Sequence, residues 1–256
     1  MSANKLSIFN CQNITKYYDN EIVVQDINLE LPAGGFISLL GHSGVGKTTL
    51  FNVLAGVEKP DSGSVFLNDE NITGKSGQVS YMLQKDLLLE YRTVLDNVIL
   101  PLLIRGEKKK AAREKTIGFF PMFGLDGYEN KYPNELSGGM RQRAALLRTC
   151  LTTNFESGQV ILLDEPFSAL DAITRHTMQT WYAEIALQMK VSTIFITHDV
   201  EEALLLSDTV YVMNGKPGKI THEIKVQPPR PRNADFSVSK EFVEQKKLVM
   251  DAIKIQ

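Results

Sequence analysis

The sequence predicts an α/β protein in which a parallel sheet is covered by helices, with an antiparallel β lobe at one side and an inserted α-helical lobe. Three observations predict it. Apolar runs bounded by turn residues alternate with helix-patterned stretches. The runs Phe36–Leu40, Val160–Leu163 and Thr193–Thr197 are apolar throughout rather than alternating, as strands covered on both faces must be. Between about residues 86 and 151 the strand signal stops and helical patterning takes over.

The elements follow in order. Leu6–Thr15 and Ile22–Leu31 alternate apolar with polar residues, which assigns them to the antiparallel lobe. Phe36–Leu40 is a buried strand that leads through a glycine-rich turn into a helical stretch ending at Gly56. Pro60, Asp61, Ser62 and Gly63 form a turn before the short strand Val65–Leu67, and Val79–Leu83 is the next strand. The helical block opens at Thr93 and Asp96 as a cap and is punctuated by Pro101, Gly106, Pro121, Gly124 and Pro133. Within it, Arg105 to Lys115 is strongly basic and reads as a solvated helix face rather than a binding patch. A helix from about Gly139 to Thr153 closes the block, and Val160–Leu163, Thr193–Thr197 and Thr209–Met213 continue the sheet. From Lys216 the text turns proline-rich and resumes as a short helix, Val238–Ile253. We therefore expect one domain over 1–256, with a helical subdomain at about 86–151 and a C-terminal extension at about 216–256.

Composition sets limits. The 256 residues are 43% hydrophobic and 23% charged, ordinary globular values. A net charge of −2 supplies no basic field to recruit nucleic acid, so no nucleic-acid partner is expected. Two cysteines, Cys11 and Cys150, are too few for a disulfide framework. Neither a signal peptide nor a run of ~18 apolar residues is present, so any membrane would be crossed by another chain.

Two motifs carry chemistry. Gly41-His-Ser-Gly-Val-Gly46-Lys47-Thr48 fits the phosphate-cradling pattern G-x-x-x-x-G-K-[ST], directly after an apolar strand and before a helix. Its glycines let backbone N–H groups turn around phosphate oxygens, the helix N-terminus adds positive potential, Lys47 reaches the β- and γ-phosphates, and Thr48 can ligate Mg²⁺. Gly41, Ser43, Gly44, Gly46, Lys47, Thr48 and Thr49 are the candidate nucleotide contacts. His42 occupies a variable position of the pattern. The second motif is Asp164-Glu165-Pro166 at the end of an apolar strand. Alone it would be an ordinary solvent-facing strand end; beside a phosphate cradle, Asp164 can hold a metal through water and Glu165 can take a proton from an attacking water.

The segment Leu136-Ser137-Gly138-Gly139-Met140-Arg141-Gln142-Arg143 closely resembles the LSGGQ signature of the ABC ATPases, with Met140 in place of the usual glutamine. Ser137, Gly138 and Gly139 offer a hydroxyl and bare N–H groups at a helix start, a second anion site. Further positions resemble the family in its order along the chain. Tyr18 sits where an aromatic stacks on adenine, with Tyr17 as the competing choice; Gln84 resembles the Q-loop glutamine that contacts Mg²⁺ and water; Ser168 to Asp171 resembles the D-loop at the dimer contact; His198 resembles the switch histidine at the γ-phosphate. The segment between Arg148 and Asp164 is a few residues longer than the family pattern, and Asn154 to Gly158 reads as a surface loop.

The resemblance implies a P-loop NTPase, RecA-like core and an ATPase using ATP and Mg²⁺. Two copies would pack head to tail, each signature closing on the other's nucleotide. It also implies transmembrane permease subunits as partners, a substrate-binding protein indirectly, and a peripheral location at the cytoplasmic membrane face. The permease would meet the surface after Gln84, where Leu87, Leu88, Leu89 and Tyr91 are either contacts or helical-lobe core. The C-terminal text from Lys216 to Arg232 resembles nitrate, sulfonate and taurine importer ATPases and those for thiamine pyrimidine precursors. A soluble ABC ATPase serving cofactor assembly or nucleic-acid work carries the same nucleotide motifs and is the alternative.

Overall fold

A computed structural model describes residues 7–152, 159–232 and 234–254. Two sheets organise it. The first is antiparallel, in the order β2-β1-β4-β5, from β1 (Ser7–Tyr18), β2 (Glu21–Pro32), β4 (Ser62–Leu67) and β5 (Glu70–Asn71). The second has the order β10-β9-β3-β8-β7-β6, from β3 (Phe36–Gly41), β6 (Ser80–Met82), β7 (Val160–Asp164), β8 (Ser192–Thr197), β9 (Thr209–Asn214) and β10 (Lys219–Lys225). It is parallel except for β10, which runs antiparallel to β9. Every residue of β3, β7 and β8 is buried, the condition their unbroken apolar text anticipated.

Successive side chains of β3 serve opposite faces. Ile37 and Leu39 join the core shared with β1, β2 and α1 (Lys47–Leu54), while Phe36 packs with the helical lobe. Ser38, fully buried, accepts a hydrogen bond from Ser207 at 2.8 Å, so its hydroxyl is satisfied inside the sheet.

Between β6 and β7 lie α2 (Val94–Val98), α3 (Leu100–Ile104), α4 (Lys109–Ile117) and α5 (Gly138–Cys150). The Thr93 hydroxyl accepts from the Asp96 amide at 3.2 Å, the cap read from sequence. The basic stretch behaves as a solvated face: α4 buries Ala112 and Thr116, while Lys109 and Arg113 pair with Asp96 and Lys115 pairs with Glu107. α6 (Ala172–Gln188) and α7 (Val200–Leu206) connect the later strands.

Two expectations change. β6 covers only Ser80–Met82, because Leu83 already faces solvent. The second concerns the strand count: the C-terminal extension supplies a strand that its prolines hid. β10 completes the core sheet, and α8 (Lys240–Lys254) packs Phe242, Val249 and Ala252 against Ala203 and Leu204 of α7. Arg230 grips Asp208 through two hydrogen bonds, at 2.9 and 2.7 Å, and stacks over Phe36. The anticipated Asn154–Gly158 loop lies outside the described residues.

Candidate nucleotide site

Four adjacent parallel strands deliver the site. Gly41 ends β3, Asp164 ends β7, His198 follows β8 and Gln84 follows β6, so these residues emerge together at the carboxyl edge of the sheet, where open α/β sheets bind ligands. There a cavity of about 330 Å³ is lined by Ser43, Gly44, Gly46, Lys47, Thr48, Thr49, Gln84, Asp164 and Glu165, with Val23 and Ile196.

The glycine-rich turn has physical reasons for its glycines. Gly44 and Gly46 hold φ of 80° and 102°, and a Cβ at Gly46 would come within 2.6 Å of Val24. Gly46 places no side chain over the start of α1, which leaves the first N–H groups for a ligand's oxygens. The Lys47 ammonium is buried and donates to the Gly41 and His42 carbonyls at 2.8 and 2.9 Å. Burial pushes its pKa down, and the charges of Glu165 and Asp164 push back.

The Thr48 hydroxyl donates to Asp164 Oδ2 at 3.1 Å. Burial holds the Asp164 carboxyl above the usual range; the Thr48 bond opposes this, the Glu165 charge adds to it and Lys47 opposes it. Among the described residues no group of three His, Cys, Asp or Glu side chains stands ready to hold an ion. Mg²⁺ does not need one, since it takes one or two carboxylates and fills its sphere with phosphates and water. Thr48, Asp164 and Gln84 are a hard-oxygen set at one cavity wall, and the donor chemistry fits that ion.

Glu165 is held from all sides. Its backbone takes φ 45°, a left-handed conformation costing roughly 1–3 kcal/mol in a non-glycine residue. Its N–H donates to the Ile196 carbonyl at 3.1 Å, and its carbonyl accepts from the Ser168 hydroxyl at 2.9 Å. One carboxylate oxygen accepts from Gln84 Nε2 at 3.3 Å, and the other lies 3.2 Å from His198 Nδ1. Behind His198, buried Glu202 accepts from the Thr197 hydroxyl and, at 2.7 Å, from Gln179 of α6. The structure thus gathers the glycine-rich turn, Gln84, Asp164, Glu165 and His198.

It places the other candidates elsewhere. Ser137 caps α5, accepting from the Met140 amide at 3.3 Å, and Ser137 and Gly138 are exposed, away from the cavity lining. Gly139 lets α5 approach α6, since a Cβ there would come within 3.2 Å of Thr174. Asp171 caps α6 through the Thr174 amide at 3.1 Å, and hydrogen bonds from Thr174 hold its carboxyl below the usual range. Tyr18 and Tyr17 are both exposed at the end of β1; Tyr18 donates to Glu58 and neighbours Thr49.

Sequence reading missed the ties that join these parts. Arg141 bonds Asp86 at 3.0 Å and Glu90 at 2.9 Å, Arg148 donates to the Leu87 carbonyl at 2.8 Å, and Gln142 donates to the Pro166 carbonyl. The helix begun by the signature is thereby fixed both to the loop after Gln84 and to the acidic turn. Its only sequence signal was a pair of arginines and a glutamine on one helix following the motif.

The family model described as "ABC transporter" matches residues 24–168. The chain belongs to the ABC transporter family. This ABC ATPase is 40% identical over 212 residues to the formylaminopyrimidine import ATP-binding protein of Halalkalibacterium halodurans, covering 83% of this chain and 81% of that one. It is 36% identical over 241 residues to the aliphatic sulfonates import ATP-binding protein of Bacillus cereus, covering 93% and 92%. A dimeric ATP-binding cassette, solved in a post-hydrolysis state with ADP and Pi, has a TM-score of 0.71 and 26% identity, covering 86% of this chain and 99% of that one. The ABC ATPase binds and hydrolyses ATP, and no helix among its described residues is long and apolar enough to cross a membrane.

Proposed function

We propose that the chain is the motor subunit of an ABC importer, a single nucleotide-binding domain with a helical subdomain at about 86–151 and a C-terminal extension at about 216–256. Two copies close head to tail on two ATP molecules with Mg²⁺. Lys47 and His198 stabilise charge on the γ-phosphoryl group, Glu165 accepts the proton of the attacking water, and Gln84 orients that water. Thr48, Asp164 and Gln84 hold the Mg²⁺, which neutralises phosphate charge. Ser137, Gly138 and Gly139 of the facing copy complete the site, Asp171 lies at the contact, and Tyr18 stacks on the base. The observation that carries this reading is the contrast between a hydrolytic centre wired inside the chain and a signature helix start that lies exposed, apart from the lining of that centre's cavity.

Transmembrane permease subunits dock beside Gln84, which places the chain peripherally on the cytoplasmic membrane face; a substrate-binding protein acts indirectly. A cavity of about 730 Å³ there is lined by Gln84, Lys85, Asp86, Leu87 and Arg141, among others. Leu88 is 6% exposed and belongs to the core, whereas Leu87 at 52% and Tyr91 at 76% are free to meet a permease. The cargo is a small anionic or heteroaromatic solute of the sulfonate or formylaminopyrimidine kind, as in the relatives named above.

The test is the mass of Glu165→Gln by light scattering, with and without MgATP, beside wild-type phosphate release. Conversion of the variant to a stable dimer by MgATP with loss of turnover is expected. A variant that stays monomeric with ATP bound and still hydrolyses it overturns the mechanism. Failure to co-purify with membranes and a hydrophobic permease overturns the importer assignment.

A further inference from the structure

The loop between α1 and β4 carries two carboxylates, and both hold the end of β1. Asp61 accepts from the Tyr17 amide at 2.7 Å and lies 3.3 Å from the Lys16 ammonium. Glu58 accepts the Tyr18 phenol proton. Glu58 is itself fixed to α1 in two ways. Its N–H donates to the Asn52 carbonyl at 3.1 Å, and its other carboxylate oxygen accepts from Asn52 Nδ2 at 2.9 Å. Gly56, at φ 69°, turns the chain off α1 so that these bonds form, and a Cβ there would meet the Lys75 carbonyl at 2.4 Å. Asn52 in turn accepts from the Tyr81 hydroxyl at 3.3 Å, and Tyr81 neighbours Asp164. A polar belt therefore runs around α1 from the Tyr18 ring to the acidic strand end.

We propose that Glu58 is a positioning residue for the base end of the nucleotide site: anchored on Asn52, it pins the Tyr18 hydroxyl and so fixes the plane of an exposed ring before adenine stacks on it. This deepens the reading of Tyr18 as the base platform and rests on it. The ring is 41% exposed, and the pin limits its turning about the side-chain torsions, removing conformational entropy that binding would have to supply. Burial and the Glu58 carboxylate push the phenol pKa up to about 12, which keeps the proton available for donation. Lys16 sits 5.6 Å from the ring centroid, held by Asp61. The same loop therefore sets the surroundings of the ring as well as its tilt.

Calorimetric titration of the full chain with ATP, and separately with inorganic tripolyphosphate, which has no base, tests the role. Glu58→Ala should weaken ATP about 5-fold, the scale of the net contribution of one hydrogen bond, and leave tripolyphosphate unchanged. Glu58→Gln, whose amide oxygen still accepts the phenol proton although its amide nitrogen cannot accept from Asn52, should restore part of the affinity. Tyr18→Phe should match Glu58→Ala, and the double variant should be no worse than either. If Glu58→Ala weakens tripolyphosphate equally, Glu58 acts on α1 and the inference is overturned. Should Tyr18→Ala weaken ATP while neither Glu58→Ala nor Tyr18→Phe does, the platform stands and the pin is overturned. An unaltered ATP affinity in Tyr18→Ala removes the platform and the inference together.

Discussion

The glycine-rich turn and the signature helix are both helix starts offering N–H groups to an anion, yet they are finished differently. At the first, Lys47, Thr48, Asp164, Gln84, Glu165 and His198 converge from four strands, and each polar group has a partner within the chain. At the second, the Ser137 hydroxyl closes back on the helix through the Met140 amide, and the first turn carries no acidic residue. The lesson is that like helix starts are furnished differently: side chains from four strands surround the first, whereas a hydroxyl cap closes the second.

That comparison can be broken by asymmetric variants. Lys47→Ala should lower phosphate release by at least ~10²-fold, because γ-phosphoryl charge loses its buried cation. Ser137→Arg should lower it almost as far while leaving ATP affinity of the isolated chain unchanged by calorimetry; a parallel loss of affinity would show the two starts to be one site. Mixed in equal amounts, the two inactive variants should regain roughly a quarter of wild-type turnover, since half the dimers would carry one intact composite site. No recovery on mixing would falsify the head-to-tail arrangement.

The ties between the regions give smaller effects. Arg141→Ala should cost about 1 kcal/mol in urea denaturation, the scale of a partly exposed pair, and should loosen the loop after Gln84 as read by hydrogen exchange. Burial would raise the Asp86 carboxyl, but the Arg141 and Leu88 hydrogen bonds hold it below the usual range. Its stabilisation is therefore complete above the ordinary carboxylate pKa and is lost as pH falls through the depressed folded value. Thermal scans from pH 6 to pH 3 should show a steeper fall for the wild type than for Asp86→Asn. Smallest of all, Lys110→Ala on α4 should leave stability and turnover within error, because its 4.0 Å pair with Glu114 is solvated on both sides.

Local chemistry was legible in the text and long-range wiring was not. Lys47 and Thr48 are neighbours of their glycines, and Asp164 and Glu165, at and just after the end of a buried strand, were read as chemistry because the glycine-rich turn is in the same chain. Arg141 and Asp86 are 55 residues apart, as Glu58 and Tyr18 are 40 apart, and no periodicity connects them. Leu88 and Leu87 look alike in sequence, yet the fully buried Asn97 side chain, bonded to both Leu89 backbone groups, fixes the loop in which one turns inward and the other outward. β10 was missed although Ile220 and Ile224 alternate with polar residues, because flanking prolines dominated the local signal.

That last strand has a consequence for the cell rather than for catalysis. β9 is a buried strand, and β10 covers its outer side with an edge bearing Lys219, Glu223 and Lys225, charges that discourage another chain from pairing there. A nonsense mutation after Asn214 would spare each candidate nucleotide contact, yet it would uncover an adhesive β edge and unseat Arg230 from Asp208. Its phenotype should be read in inclusion bodies and lost abundance rather than in altered turnover.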